Sequence, residues 1–277
     1  MKLFQNKSVV ITGAGAGMGR ALALRLGGYG ANVVATDIDE QAAMETARDI
    51  KRKDGHASYH ELDVRDRDAF QALLDSVVGD FRSLDYLFNN AGIAIFGEVR
   101  DQTDEDWQRV VDININGVVN GTLAAYRIMC AQGSGHIVNT ASIAGLTPAP
   151  LLTPYSMTKH AVVGLTSSLR EEAKGLGIKV SAVCPGIIRT NITDGNFSRG
   201  SHFADPFGFV REKLKINPPS ADDAAKAILK GVKKNQAQIV FPAHARGLLN
   251  SYRYLSSLPG GAHQLMMKIY RRDYRHQ

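Results

Sequence analysis

The sequence predicts an α/β fold: a doubly wound parallel sheet of about seven strands with helices on both faces. Three observations predict it. Over the first 90 residues short β-branched runs alternate with longer amphipathic stretches, the order that builds parallel sheets. The strand candidates read as near-continuous apolar runs, as strands covered on both faces do. A cluster of glycines stands where the first strand gives way to the first helix.

Ser8 to Thr12 is the first strand, followed by a helix from Arg20 to Tyr29. The strand Ala31 to Thr36 leads to a helix from Glu40 to Lys53. Further strands are expected at Ala57 to Leu62, Leu84 to Phe88, His136 to Thr140, Lys179 to Val183 and Gln238 to Phe241, with a helical stretch from Tyr155 to Leu169. From Thr190 to Ser220 the rhythm breaks. Gly195, Gly200, Pro206, Gly208, Pro218 and Pro219 interrupt any period, which predicts a long loop, and loops of that length in compact domains usually serve function.

Composition narrows the class. With 44% hydrophobic and 22% charged residues, 27 Gly and 9 Pro in 277 residues, disorder and collagen-like structure are excluded. No linker divides the chain, so residues 1–277 are expected to form one domain, large enough to bury a core without disulfides. Cys130 and Cys184 lie far apart in hydrophobic surroundings without a CxxC pair or histidine cluster, which suits a reduced, cytoplasmic setting and no metal. No apolar leader follows Met1 and no run of 18 apolar residues occurs, so neither secretion nor membrane spanning is expected. The net charge of +6 is concentrated: Arg246, Arg253, Lys268, Arg271, Arg272 and Arg275 against Asp273 give residues 241–277 a balance of +5. With an almost neutral body the chain is not expected to bind nucleic acid, and any polyanion contact should involve this tail.

Directly after the first strand stands Thr12-Gly13-Ala-Gly15-Ala-Gly17-Met18-Gly19-Arg20. Glycines there let main chain approach a pyrophosphate, and the opening turn of a helix supplies N–H donors and a positive dipole end. Met18 and Arg20 break the GxGxxG spacing, whereas TGxxxGxG fits Thr12, Gly13, Gly17 and Gly19. Asp37 ends the second strand 24 residues after Gly13, where a carboxylate accepts hydrogen bonds from an adenosine ribose or caps the next helix. A carboxylate repels a 2′-phosphate, and neither Ala16 nor Ile38 is a cation that would offset it, so NAD(H) is expected over NADP(H). Asp63 is read either as a partner of the adenine or as a helix cap.

Tyr155 and Lys159, four residues apart, share a helical face. An ammonium beside a phenol stabilises the phenolate and lowers a pKa of about 10, so that the phenol can exchange a proton with an alcohol or a carbonyl. Ser142 follows the strand His136 to Thr140, at the edge where a doubly wound sheet presents ligands.

Residues 7 to about 190 resemble the short-chain dehydrogenase/reductase family in its common ~250-residue form. Thr12 to Gly19, Asn89-Asn90-Ala91-Gly92, Asn114 in Asp112-Ile-Asn-Ile-Asn-Gly117, Ser142, Tyr155 with Lys159, and Pro185-Gly186-Ile-Ile188-Arg-Thr190 carry the resemblance in order. It implies a Rossmann fold with Tyr155 as acid/base, Ser142 positioning the reacting oxygen, Lys159 holding the nicotinamide ribose and Asn114 ordering a proton-relaying water. It implies cofactor contacts by Gly13, Gly17, Met18, Gly19, Asp37, Asp63, Val64, Asn90, Ala91, Gly92, Tyr155, Lys159, Pro185, Gly186, Ile188 and Thr190. Homodimers or homotetramers are usual for the family, through the helices carrying Asn114 and Tyr155. A Lys four rather than six residues after Tyr argues against divergent enoyl reductases, and the glycine spacing argues against the extended epimerase-like branch.

Phe197, Phe203, Phe207 and Phe209 in the 190–220 loop suggest a lid over an apolar substrate, or rings that anchor the loop to the core. The basic extension 242–277 interleaves Tyr252, Tyr254, Tyr270 and Tyr274 with arginines; it is expected to cover a neighbouring subunit, close the substrate pocket or rest weakly on an anionic membrane. The expectation is an NAD-dependent enzyme interconverting a secondary alcohol and a ketone. Two alternatives stay open: an NADP(H)-linked 3-oxoacyl reductase, and a non-catalytic dinucleotide-binding regulator.

Overall fold

The structure is a computed structural model that describes residues 2–190, 198–200, 217–254 and 258–273. Seven parallel strands form one sheet in the order β3-β2-β1-β4-β5-β6-β7: β1 (Ser8–Thr12), β2 (Asn32–Asp37), β3 (His56–Glu61), β4 (Tyr86–Asn89), β5 (Gly135–Thr140), β6 (Ile178–Pro185) and β7 (Gln238–Phe241). Helices α1 (Gly17–Gly28), α2 (Glu40–Lys51), α3 (Arg67–Phe81), α4 (Asp104–Val111), α5 (Gly117–Gln132), α6 (Thr153–Glu172) and α7 (Ala221–Lys233) connect them, and α8 (Ala243–Tyr254) and α9 (Leu258–Asp273) follow β7. The chain runs outward from β1 through β2 to β3 and then crosses back to β4 on the other side of β1, and this reversal opens a crevice beyond the carboxyl ends of β1 and β4.

Alternation along β1 sorts its side chains to two apolar layers. Val9 and Ile11 pack with Leu22 and Leu26 of α1 and Ile228 of α7, while Val10 packs with Phe70 and Leu74 of α3 and Met129 of α5. Each such side chain, fully buried, contributes about 1.5–3 kcal/mol. Between the sheet and α5 and α6 runs a buried polar chain. Asn89 Nδ2 donates to Asn139 Oδ1 at 2.9 Å and to Thr122 Oγ1 at 3.2 Å, and Asn139 Nδ2 donates to Thr166 Oγ1 at 3.1 Å.

The differences from the sequence reading have local causes. Helix α1 begins at Gly17, because the glycine turn runs straight into it, and α6 begins at Thr153, with Pro154 fitting a first turn that needs no N–H. Strand β3 is not an apolar run buried on both sides. As the sheet edge it pairs with β2 alone and leaves His56, Tyr59, His60 and Glu61 exposed. Cys184 is buried as expected, but Cys130 is exposed near the end of α5. Arg189 N–H donates to Pro219 O at 3.0 Å, so the two ends of the predicted loop meet; its four phenylalanines lie outside the described residues, as does Tyr274. Among the described residues no helix is long and apolar enough to cross a membrane.

Candidate active site

The crevice is framed by the turn after β1. Thr12 Oγ1 accepts the N–H groups of Asn90 and Ala91, each at 3.0 Å, and so ties the turn to the end of β4. A Cβ on Gly19 would collide with the main-chain oxygen of Gly13, so only glycine lets α1 start this close to the strand. Helices α2, α3, α4 and α7 open on a capping side chain, Asp39, Asp66, Thr103 and Ser220 respectively. Helix α1 opens at Ala16 with none, and a start of that kind keeps its N–H donors for a bound anion.

A cleft of about 470 Å³ lies beside this turn. Its lining includes Gly13, Gly17, Met18, Asp37, Asp63, Val64, Asn90, Ala91, Gly92 and Thr190, all expected from the sequence. Asp37 Oδ2 accepts the N–H of Gly15 at 2.9 Å, and the capping of α2 falls to Asp39, which accepts Ala42 N–H at 3.0 Å. Asp63 is not a helix cap either, since Asp66 caps α3. Its carboxylate receives the guanidinium of Arg65, with Nε 2.9 Å from both oxygens, and that hydrogen bonding holds the Asp63 carboxyl below the usual carboxylate range.

Gly19, Pro185, Gly186 and Ile188 frame the cleft rather than line it. Gly186 N–H donates to Phe241 O at 2.7 Å where β6 and β7 end, and Ile188 packs with Met18 against the core. Sequence reasoning missed Leu62 and Ile93, apolar residues of the wall that no motif marks, and Ile113, which stands beside Asn114 in its motif; it also missed the two cations of the wall, Arg65 and Arg109.

Behind the cleft stand the remaining expected residues. A π-helical turn, Asp112–Asn116, precedes α5 and places Asn114 fully inside. Its Nδ2 donates to Ile93 O at 2.9 Å and to Thr158 Oγ1 at 3.2 Å, and its Oδ1 accepts Ile93 N–H at 2.9 Å. A Cβ on Gly92 would stand 3.1 Å from Asn114 Oδ1 and 3.3 Å from Lys159 Nζ, so Gly92 is where cleft, asparagine and lysine meet.

Lys159, on α6, is 2% exposed and donates through Nζ to Thr140 O at 2.9 Å, 5.5 Å from the ring centroid of Tyr155. Ser142, in the segment after β5, accepts Ala144 N–H through Oγ at 3.1 Å; Ser156 Oγ donates to Ala144 O at 2.7 Å and fastens that segment to α6. Burial lowers Lys159 to about 8. Burial also pushes the Tyr155 phenol above its ordinary value, and the Ser142 hydrogen bond opposes this. The sequence reading assigned the lowering to the ammonium; in the structure desolvation dominates, and Ser142 is the group that pulls the phenol down.

Sheet order, glycine turn and helix placement are those of a Rossmann-type α/β protein. The chain belongs to the short-chain dehydrogenase/reductase family of oxidoreductases: the profile of the short chain dehydrogenase family matches residues 7–199. It is similar to the cyclohexanol dehydrogenase of Acinetobacter sp. (strain SE19), 38% identical over 190 residues that cover 68% of this chain and 75% of that protein. It is 37% identical to the meso-2,3-butanediol dehydrogenase of Serratia marcescens over 192 residues, 69% of this chain and 75% of that one. Among solved structures, a short-chain dehydrogenase/reductase from Burkholderia phymatum in complex with NAD matches with a TM-score of 0.81 at 29% identity, covering 90% of this chain and 94% of that chain.

Proposed function

We propose that the whole chain acts as one unit, an NAD(H)-dependent oxidoreductase that interconverts an apolar secondary alcohol and its ketone. The observation that carries this reading is the buried Tyr155 on the same helix as a buried lysine, whose Nζ stands 5.5 Å from the centroid of the phenol ring and reaches the wall of the glycine-turn cleft. The residues fit a dinucleotide: an uncapped helix start for the pyrophosphate, the Asp37 carboxylate at the end of β2 for a ribose, and a buried Asn90 Oδ1 that accepts no hydrogen bond from the described residues. Bound there, the dinucleotide would supply the hydride acceptor for oxidation and the hydride donor for reduction.

The chain's own residues supply the rest. In oxidation the hydroxyl proton passes to Tyr155 Oη, and in reduction the phenol returns it to the new alkoxide. Ser142 holds the reacting oxygen, and Lys159 would hold the nicotinamide ribose. Asn114 spends its side chain on Ile93 and Thr158, so the water implied by the family resemblance falls to the main chain of the π-helical turn. Asp37 supports NAD(H) over NADP(H). Cyclohexanol and 2,3-butanediol, named for the two relatives, are both secondary alcohols. A cytoplasmic homodimer or homotetramer is the assembly that goes with this reading.

The test is Tyr155→Phe. It is expected to lower turnover of a secondary alcohol by roughly 10²- to 10⁴-fold while NADH affinity, read by fluorescence titration, stays close to wild type. A Tyr155→Phe enzyme that keeps wild-type turnover refutes the assignment.

A further inference from the structure

The proposed chemistry leaves α9 without a task, yet this helix carries Tyr270, the largest of the fully buried side chains. Tyr270 sits in one apolar cluster with Ala94, Phe96, Ala144, Leu151, Leu152 and Tyr155. Its ring meets Phe96 edge-on, with centroids 6.0 Å apart and planes at 75°. The next residue, Arg271, donates through Nε to Glu98 Oε1 at 2.7 Å, and the second oxygen of that carboxylate pairs with Arg100 Nε at 2.7 Å. Glu98 is 7% exposed, so the clamp reaches into the protein. Two adjacent residues of α9 thus deliver an aromatic ring and a cation to the single loop Phe96 to Arg100. Charge-assisted bonds of this kind are among the stronger ones, and an aromatic pair adds its own contact energy.

The cluster is closely packed, every one of its seven side chains 8% exposed or less, and among its apolar members it holds two phenols, those of Tyr155 and Tyr270. Ala144 follows Ser142 by two residues, and Leu151 and Leu152 lead directly into α6, so the walls come from the segments that position the phenol. We propose that Tyr270 is a specificity-determining residue: with Phe96 and Leu152 it forms the wall that limits how bulky an alcohol or ketone reaches Tyr155, and the Arg271–Glu98 pair holds it in place. This rests on the functional reading above and adds to it a size limit set by the basic extension.

The experiment measures kcat/KM with NAD for secondary alcohols of increasing bulk, 2-butanol, cyclohexanol and 1-(2-naphthyl)ethanol, together with NADH affinity by fluorescence. Wild type is compared with Tyr270→Phe, Tyr270→Leu and Tyr270→Ala. The ratio of kcat/KM for the naphthyl alcohol to that for 2-butanol is expected to rise about tenfold or more in Tyr270→Ala, less in Tyr270→Leu and not at all in Tyr270→Phe, with NADH affinity unchanged throughout. An equal ratio in all four proteins overturns the inference, even if the smaller residues lower the melting temperature. Should the alanine variant not fold, the leucine and phenylalanine variants decide by the same ratio. A wild-type chain that oxidises none of the alcohols overturns the functional reading and this inference together; wild-type turnover with an unmoved ratio overturns this inference alone.

Discussion

Asn114 and Ile93 bond in both directions, side chain to main chain, at 2.9 Å each way. The pair joins the π-helical turn before α5 to the strand exit whose residues Asn90 to Ile93 line the cleft. Asn114→Ala leaves the Ile93 N–H and carbonyl without partners, at a cost of about 1–3 kcal/mol for each buried group. The expected outcome is a lower urea midpoint together with weaker NADH binding. Asn114→Asp keeps the acceptor for Ile93 N–H and should fall between. Wild-type stability and affinity in the alanine variant would show that the turn is held by other means.

Asp37 both receives Gly15 N–H and faces the cleft. Asp37→Ala should therefore weaken NADH binding and, by removing the charge that repels a 2′-phosphate, narrow the preference for NADH over NADPH by about tenfold, the equivalent of ~1.4 kcal/mol. Separate fluorescence titrations with the two cofactors check this. A variant with the wild-type ratio would move the discrimination to another residue of the wall, which also carries Arg65 and Arg109.

Alcohol oxidation requires the phenolate of Tyr155, so log kcat/KM for oxidation rises with pH until the phenol has titrated. Burial holds this phenol above its usual range and the Ser142 hydrogen bond pulls it back down. Ser142→Ala removes the lowering influence, together with a partner of the reacting oxygen, and leaves the raising effect of burial in place. The alkaline rise of the oxidation profile should therefore move to higher pH, and the fall of the reduction profile, which uses the neutral phenol, should move with it. A variant that is slower but has an unshifted profile would assign Ser142 to substrate positioning alone.

His136 stands inside β5, where Ser181 Oγ donates to Gln236 O and so accepts the proton on His136 Nε2, 2.9 Å away. Burial keeps the ring neutral, lowering it from 6.5 to about 3. Above pH 6.5 neither the folded nor the unfolded ring carries a proton and the group is silent. Below it the unfolded chain takes up a proton that the fold refuses, so stability falls with acidity by about 1.4 kcal/mol per pH unit until the folded ring titrates. Between pH 6.5 and 5 this amounts to about 2 kcal/mol. Urea unfolding at several pH values should show that slope in wild type and a shallower one in His136→Gln.

Elements that depend on local chemistry were legible in the sequence. Thr12 to Gly19 could be read because a main chain that approaches so closely admits only glycine, and Tyr155 with Lys159 because helical spacing places two residues four apart on one face. What escaped depends on distant segments meeting. Nothing around Glu98 announces that Arg271, 173 residues later, will clamp it. Tyr270 looked like one of four tyrosines in a basic tail, because which of them turns inward is decided by the packing of α9 on Phe96 and not by any local period. Strand β3 was placed nearly correctly, but its exposure follows from its rank in the sheet, which the order of elements along the chain does not specify.

The asparagine and threonine chain between β4, β5, α5 and α6 has a consequence for accuracy. Greasy surfaces alone would let two helices slide across two strands through many poses of similar energy. Directional bonds work like a key in a lock and accept one pose. Because α6 bears the phenol and lysine while β4 feeds the cleft, replacing Asn89 and Asn139 with leucines would leave a chain that still collapses but sets its reactive groups at blurred distances.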